Sequence, residues 1–166
     1  MTRIDKNGCA FEVKAYARED YACLERMYDR FTPKAKFQGM PPFSKEVRQP
    51  WLRQLIENGH NFLAWSGEEV IGHVVILPDF NKRDAEYLIF VSQGHRGLGV
   101  GKALTIAAIE KARALDLKNV WLTVDAYNFR AIRLYRKAGF RSCKGYDAAT
   151  ERMMVLDFGQ RKDMEP

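Results

Sequence analysis

Apolar and polar residues alternate along Phe11-Glu12-Val13-Lys14-Ala15-Tyr16, a period of two that predicts a strand. Over Arg18–Arg30 the period lengthens. Tyr21, Leu24, Met27 and Tyr28 recur at helical spacing and predict an amphipathic helix. Thr32 to Ser44 holds Pro33, Gly39, Pro41 and Pro42 and is expected as a loop. Ser44 has the chemistry of an N-cap. A helix through Trp51, Leu52, Leu55 and Ile56 should follow it and stop near Asn58-Gly59. Asn61–Trp65 and Val70–Leu77 flank Ser66-Gly67-Glu68 and predict a hairpin. Pro78 to Asp84 is polar and turn-like, and Ala85 to Val91 is again a strand. A glycine-rich stretch then leads into a helix reaching about Ala114. Asn119–Asp125 predicts a strand and Asn128–Ala138 a helix, closed by Gly139 as a left-handed C-cap. Phe140–Tyr146 and Met153–Asp157 are expected as two final strands, and Gly159–Pro166 as a frayed end.

This order predicts an α/β chain, an α+β mixed sheet in layer terms, flanked by about four helices. The strands at 85–91 and 119–125 should run parallel, joined by a right-handed helical crossover. A length of 166 residues suits one domain with a core that needs no disulfide or metal. Cys9, Cys23 and Cys143 are scattered and odd in number, with no Cys-x-x-Cys pair, so neither a disulfide framework nor a zinc site is expected. His60, His73 and His95 share no spacing that suggests a metal. The N-terminus has no apolar signal core, and no run approaches a membrane span. A cytoplasmic protein with reduced thiols is the expectation. The net charge of +6 fits an anionic ligand. The basic residues are spread along the chain without an RNA-binding motif, which argues against nucleic acid.

Candidate chemistry concentrates in Gln93-Gly94-His95-Arg96-Gly97-Leu98-Gly99-Val100-Gly101-Lys102. A strand, a glycine-rich bend and a helix start make a place to hold phosphate, because the first helical amides are unpaired and glycines admit close approach. A P-loop needs Gly-x-x-x-x-Gly-Lys-Ser/Thr. Arg96 takes the place of its first glycine and Ala103 that of its hydroxyl, which sets it aside. A dinucleotide loop needs Gly-x-Gly-x-x-Gly. Gly99 and Gly101 begin it, but Leu104 stands at the third glycine. Asp125, at the end of the next strand, keeps that alternative open.

Arg96-Gly97-Leu98-Gly99-Val100-Gly101 also matches Arg/Gln-x-x-Gly-x-Gly/Ala, the pyrophosphate loop of the GNAT N-acetyltransferase superfamily. Asn128-Phe129-Arg130-Ala131-Ile132-Arg133-Leu134-Tyr135-Arg136-Lys137-Ala138-Gly139-Phe140 resembles that superfamily's later motif, and Val70–Val74 resembles its third strand. The resemblance covers about 11–157 and implies a single GNAT domain over 1–166. It implies a mostly antiparallel sheet with one splayed parallel pair. Acetyl-CoA is the implied co-substrate, without a metal, and a primary amine the implied acceptor. By resemblance, the amides of Arg96, Gly97, Leu98, Gly99, Val100, Gly101 and Lys102 receive the diphosphate, with Arg96 and Lys102 adding charge. The backbone of Ile89, Phe90 and Val91 receives the pantetheine arm, and Asn128 and Ala131 border it.

Tyr135 matches the tyrosine that often protonates the departing thiolate in this superfamily; as a residue alone it also reads as an amphipathic core tyrosine. An amine of pKa near 10.4 must lose a proton before it attacks. Relatives that act on protein N-termini carry Glu where this chain has Thr123. Other members of the superfamily place a glutamate on the strand before the loop, so by resemblance Glu86 is the expected base, with Asp125 second; both also read as strand-end charges. Phe31, Phe37, Met40 and Phe43, with Lys34 and Lys36, lie in the loop that borders the acceptor in this superfamily, either lining a pocket or anchoring the loop. The resemblance also suggests a homodimer. The alternative expectation is a non-catalytic acyl-CoA-binding sensor.

Overall fold

The computed structural model describes residues 1–32, 40–145 and 150–159. Its strands are β1 (Thr2–Ile4), β2 (Ala10–Ala15), β3 (His60–Ser66), β4 (Glu69–Asp79), β5 (Asp84–Val91), β6 (Asn119–Asp125), β7 (Arg141–Ser142) and β8 (Glu151–Asp157). Its α-helices are α1 (Tyr21–Asp29), α2 (Lys45–Asn58), α3 (Val100–Ala114) and α4 (Phe129–Ala138). The strands form one sheet in the order β1-β2-β3-β4-β5-β6-β8-β7. Only the β5–β6 pairing is parallel. The mixed α/β class and the crossover through α3 are as expected. No helix among the described residues is long and apolar enough to cross a membrane.

β4 is the spine. Residues 70–76 are all buried, because helices cover the sheet on both faces there. On one face α3 and α4 pack Val100, Leu104, Ala108, Ile132 and Tyr135 onto Ile71, Ala85, Tyr87, Val120 and Leu122. On the other, α1 and α2 pack Leu24, Met27, Tyr28 and Leu52 onto Leu63, Val70 and Phe90. Burying each such aliphatic side chain is worth about 1.5–3 kcal/mol against exposure. Ser44 caps α2, its hydroxyl accepting from the Val47 amide. Gly139 ends α4 at φ +102, the left-handed cap its position suggests.

A buried polar chain crosses the α1–α2 face. The Tyr28 hydroxyl lies 2.6 Å from His73 Nδ1, and His73 Nε2 lies 2.8 Å from Asn61 Oδ1. Both protons of the Asn61 amide are committed, one to the Leu55 carbonyl and one to that of Gly59. Asn61 Oδ1 must therefore accept, so His73 Nε2 carries the proton and Nδ1 accepts from Tyr28. Burial holds the imidazole neutral, its pKa lowered to about 3. The chain ties α1, β4, β3 and the end of α2 together.

Four sequence expectations change. β1 is an additional edge strand, with Thr2 opposite Glu12. β4 runs on through Pro78 to Asp79, so the turn is confined to 80–83, where Arg83 takes φ +56. The strand expected at Phe140–Tyr146 is only Arg141–Ser142; Tyr146 lies outside the described residues. The last strand begins at Glu151 rather than Met153. Of the expected frayed end, residues 160–166 lie outside the described residues.

Candidate active site

β5 and β6 pair only over Asp84–Glu86 and Asn119–Trp121. Both continue well past that point. β5 stays paired with β4 out to Val91, and β6 with β8 out to Asp125. The sheet therefore splits between them. The facing edges of Tyr87–Val91 and Leu122–Asp125 carry backbone donors and acceptors with no partner strand.

The chain leaves β5 at the open end of this split. Ser92 donates its amide to the Ile71 carbonyl, and residues 93–95 make one 3₁₀ turn. Gly97 and Gly99 then take φ +79 and +104, which L side chains rarely adopt. Gly99 is the N-cap of α3 and offers no side-chain cap. The first intrahelical bond runs from the Ala103 amide to the Gly99 carbonyl at 3.1 Å. The amides of Val100, Gly101 and Lys102 precede it and are the open donors of that helix. A Cβ on Gly101 would lie 3.2 Å from Leu134 Cδ2, 3.8 Å from Val91 Cγ2 and 3.9 Å from Ile89 Cδ1. Hydrogen at this position thus lets the first turn of α3 sit close to both β5 and α4.

Arg96 is half-buried and already engaged. Its Nε donates to the Val91 carbonyl at 2.8 Å and its Nη2 to the Thr32 carbonyl at 2.6 Å. The guanidinium also lies 5.1 Å from the centre of the Phe31 ring. It bridges the end of β5 and the start of the α1–α2 loop. Lys102 is exposed on the first turn of α3.

Alternation along β5 divides its side chains. Ala85, Tyr87, Ile89 and Val91 face α3 and α4; Leu88 and Phe90 face α1 and α2. Glu86 shares the parity of Leu88 and Phe90 and falls on the α1–α2 side. It is half-buried, and burial raises its carboxyl pKa above the ordinary value. Tyr135 lies on the opposite side, stacked edge-on against Tyr87 at 5.8 Å and tilted against Phe140 at 5.8 Å. Burial raises its phenol well above the ordinary range, so it stays protonated. Among the described residues nothing hydrogen-bonds its hydroxyl. Glu86 and Tyr135 thus stand on opposite faces of the sheet beside the split.

Asn128 is the N-cap of α4, its Oδ1 accepting from the Ala131 amide at 3.2 Å. Asp125 Oδ1 accepts from the Tyr127 amide at 2.7 Å, which sets the turn between β6 and α4. Thr123 is exposed on β6. Phe31 is buried and packs on Phe90 at 6.0 Å, an anchor of the loop, whereas Phe43 is exposed. Phe37, Lys34 and Lys36 lie outside the described residues.

One supporting chain escaped sequence reasoning. Tyr87 donates to Thr105 Oγ1 at 2.8 Å, and Thr105 donates to the Gly101 carbonyl at 2.7 Å. The ring that backs Tyr135 is thereby fixed to the first turn of α3. A tyrosine in a strand and a threonine in a helix, 18 positions apart, give no periodic signal of a bond. Among the described residues no group of three His, Cys, Asp or Glu is placed to hold a metal.

Residues 23–140 match the model of the acetyltransferase (GNAT) family. A mycothiol acetyltransferase from Acidothermus cellulolyticus is 46% identical over 66 residues, 40% of this chain and 20% of that protein. The uncharacterized N-acetyltransferase YvbK from Bacillus subtilis is 31% identical over 98 residues, 59% of this chain and 61% of that one. The chain thus spans between a fifth and three-fifths of the length of these two relatives. The structure of yncA from Salmonella typhimurium, solved with its cofactor acetyl-CoA, superposes with a TM-score of 0.72 at 15% identity, covering 93% of this chain and 98% of that one.

Proposed function

The chain belongs to the GNAT acetyltransferase family, and from that premise we propose that it moves an acetyl group from acetyl-CoA to a primary amine, on a small molecule or a protein, by direct attack in a ternary complex. Residues 1–166 act as one such domain, with its core at 11–157. The observation that carries this reading is the split between β5 and β6, which opens beside the uncapped amides of α3. A split sheet with unpaired edges is costly unless something completes it. A chain of amide groups such as pantetheine supplies the missing donors and acceptors.

In this reading the amides of Gly97 to Lys102 receive the diphosphate, the Arg96 amide expected with them being bonded instead to the Gln93 carbonyl at 3.4 Å, and the facing edge of Ile89, Phe90 and Val91 receives the pantetheine arm. One amide of that edge polarises the thioester carbonyl as negative charge develops on its oxygen. Glu86, with its raised pKa, takes a proton from the acceptor ammonium, directly or through water. The amine nitrogen then bonds to the carbonyl carbon and the carbon–sulfur bond breaks. Tyr135 supplies the proton to the departing sulfur from the opposite face. Asn128 and Ala131 hold the start of α4, which carries Tyr135. Acetyl-CoA incubated with a panel of amines and lysine peptides should release free thiol with at least one of them. Binding of CoA with no thiol release across the panel would instead favour a sensor.

A further inference from the structure

Strand register lines up one row across the open half of the sheet. Glu86 on β5 stands opposite Trp121 on β6, Trp121 opposite Val155 on β8, and Val155 opposite Arg141 on β7. Cross-strand partners share a face. Val120, Leu122, Met154, Leu156 and Phe140 belong to the α3–α4 core, so their neighbours Trp121, Val155 and Arg141 point the other way, with Glu86. The core under α1 and α2 draws its strand residues from β3, β4 and β5, and neither Trp121 nor Val155 packs into either core. Both are half-buried, and Arg141 is exposed. Glu86–Trp121 is also the last rung before the sheet splits. The row thus reads carboxylate, indole, isopropyl, guanidinium. Among the described residues neither Glu86 nor Arg141 forms an ion pair. Asp157, the diagonal neighbour of Arg141 on that face, accepts instead from the Gly159 amide at 2.7 Å. Strand spacings of about 4.8 Å put the two ends of the row about 14 Å apart. A hydrogen bond of about 2.9 Å at each end leaves about 8 Å for a ligand that joins them.

We infer that the acceptor is an ω-amino acid, a primary amine joined to a carboxylate through an unbranched apolar chain, and that Arg141 determines this specificity. The inference rests on the acetyl-transfer reading given above. The ammonium meets Glu86, the chain lies over Trp121 and Val155, and the carboxylate meets the Arg141 guanidinium. An α-amino acid is too short to reach both ends, and a diamine sets its second cation against Arg141. The test compares 6-aminohexanoate, hexylamine and 1,6-diaminohexane by thiol release at saturating acetyl-CoA. It uses the wild-type protein, Arg141→Ala, Arg141→Glu and Arg133→Ala. Arg133 is exposed on α4, across the sheet from the row, and controls for net charge. Wild type should favour 6-aminohexanoate over hexylamine on the order of fivefold in kcat/KM, with the difference in KM. Arg141→Ala should bring that ratio to within about twofold of unity, and Arg133→Ala should keep it. Arg141→Glu should turn the preference toward the diamine. The wild-type preference should also shrink as salt rises. If wild type uses hexylamine as well as 6-aminohexanoate, or if Arg141→Ala keeps the preference, the inference is overturned while transfer to amines stands. If none of these amines releases thiol, the inference is also overturned, and the wider amine panel above decides on transfer itself.

Discussion

Acidification should destabilise this protein through His73 before its surface carboxylates matter. The imidazole is fully buried, and both nitrogens are spoken for: Nε2–H by Asn61 and Nδ1 by the Tyr28 hydroxyl. Burial leaves a second proton's charge without solvent, so the folded pKa is lowered to about 3 from 6.5. The folded pKa lies below the unfolded one, so the unfolded chain takes up the proton first. The resulting stability is present above pH 6.5 and is lost as pH falls toward 3. Below 6.5 the loss approaches about 1.4 kcal/mol per pH unit, or about 2 kcal/mol between pH 7 and pH 5. That is a large share of an ordinary domain's stability. Urea unfolding followed by tryptophan fluorescence at pH 7, 6 and 5 measures it directly. His73→Gln is the matched variant, since its amide oxygen can accept from Tyr28 and its N–H donate to Asn61. The variant should be less stable at pH 7 yet nearly flat over this range, apart from a background from His60. Burial also depresses His60, with Lys111 adding to the effect. Equal losses from pH 7 to 5 in the two proteins would refute the reasoning.

The site yields three further expectations. Tyr135→Phe should lower turnover on the order of a hundredfold while CoA affinity stays within about twofold; full activity across the pH range would remove the general-acid role. The rate should fall on the acid side as Glu86 takes up a proton, and burial puts that limb above the ordinary carboxylate pKa. Glu86→Gln should slow the reaction and abolish the limb, and a variant that keeps it assigns the base elsewhere. Gly99→Ala forces a Cβ onto φ +104, at about 1–2 kcal/mol. It should reduce CoA binding roughly tenfold with only a small drop in Tm, and unaltered binding would show that the loop amides do not need this geometry.

Much of the fold was legible because its signals are periodic. Burial follows the helical stripe of Leu24, Met27 and Tyr28 and the unbroken apolar run of β4, and Ser44, Asn128 and Gly139 cap where their chemistry predicts. The misreadings have local causes. β1 is exposed along its whole length and held by backbone pairing to β2, so no apolar pattern marks it. Pro78 suggested a turn, but β3 pairs with β4 only as far as Ile76. Beyond that point β4 has a partner on one side only, where a missing N–H is tolerated. The shortened β7 follows Gly139 and Phe140 so closely that the pairing with β8 covers only Arg141 and Ser142.

The split between β5 and β6 has no side-chain signature, because the bonds that end at Glu86 and Trp121 are made by backbone. Alternation along β5 reads the same whether its far edge is paired or open. What alternation does carry is the division of labour at the split. Tyr87, Tyr135 and Phe140 close the α3–α4 side with rings 5.7 to 5.8 Å apart. Across the sheet, Trp121 is half-buried and Thr123 exposed. In the proposed reaction the acceptor approaches from the side of Glu86 and the leaving thiolate meets Tyr135, with base, reacting carbon and acid ordered across the sheet. A covalent acetyl-enzyme would need a nucleophile within that split. None of the three cysteines is on β5, β6 or the first turn of α3: Cys9 lies in the β1–β2 turn, Cys23 on α1, and Cys143 after β7, its amide bonded to the Met153 carbonyl. That placement fits the direct transfer to the amine proposed above.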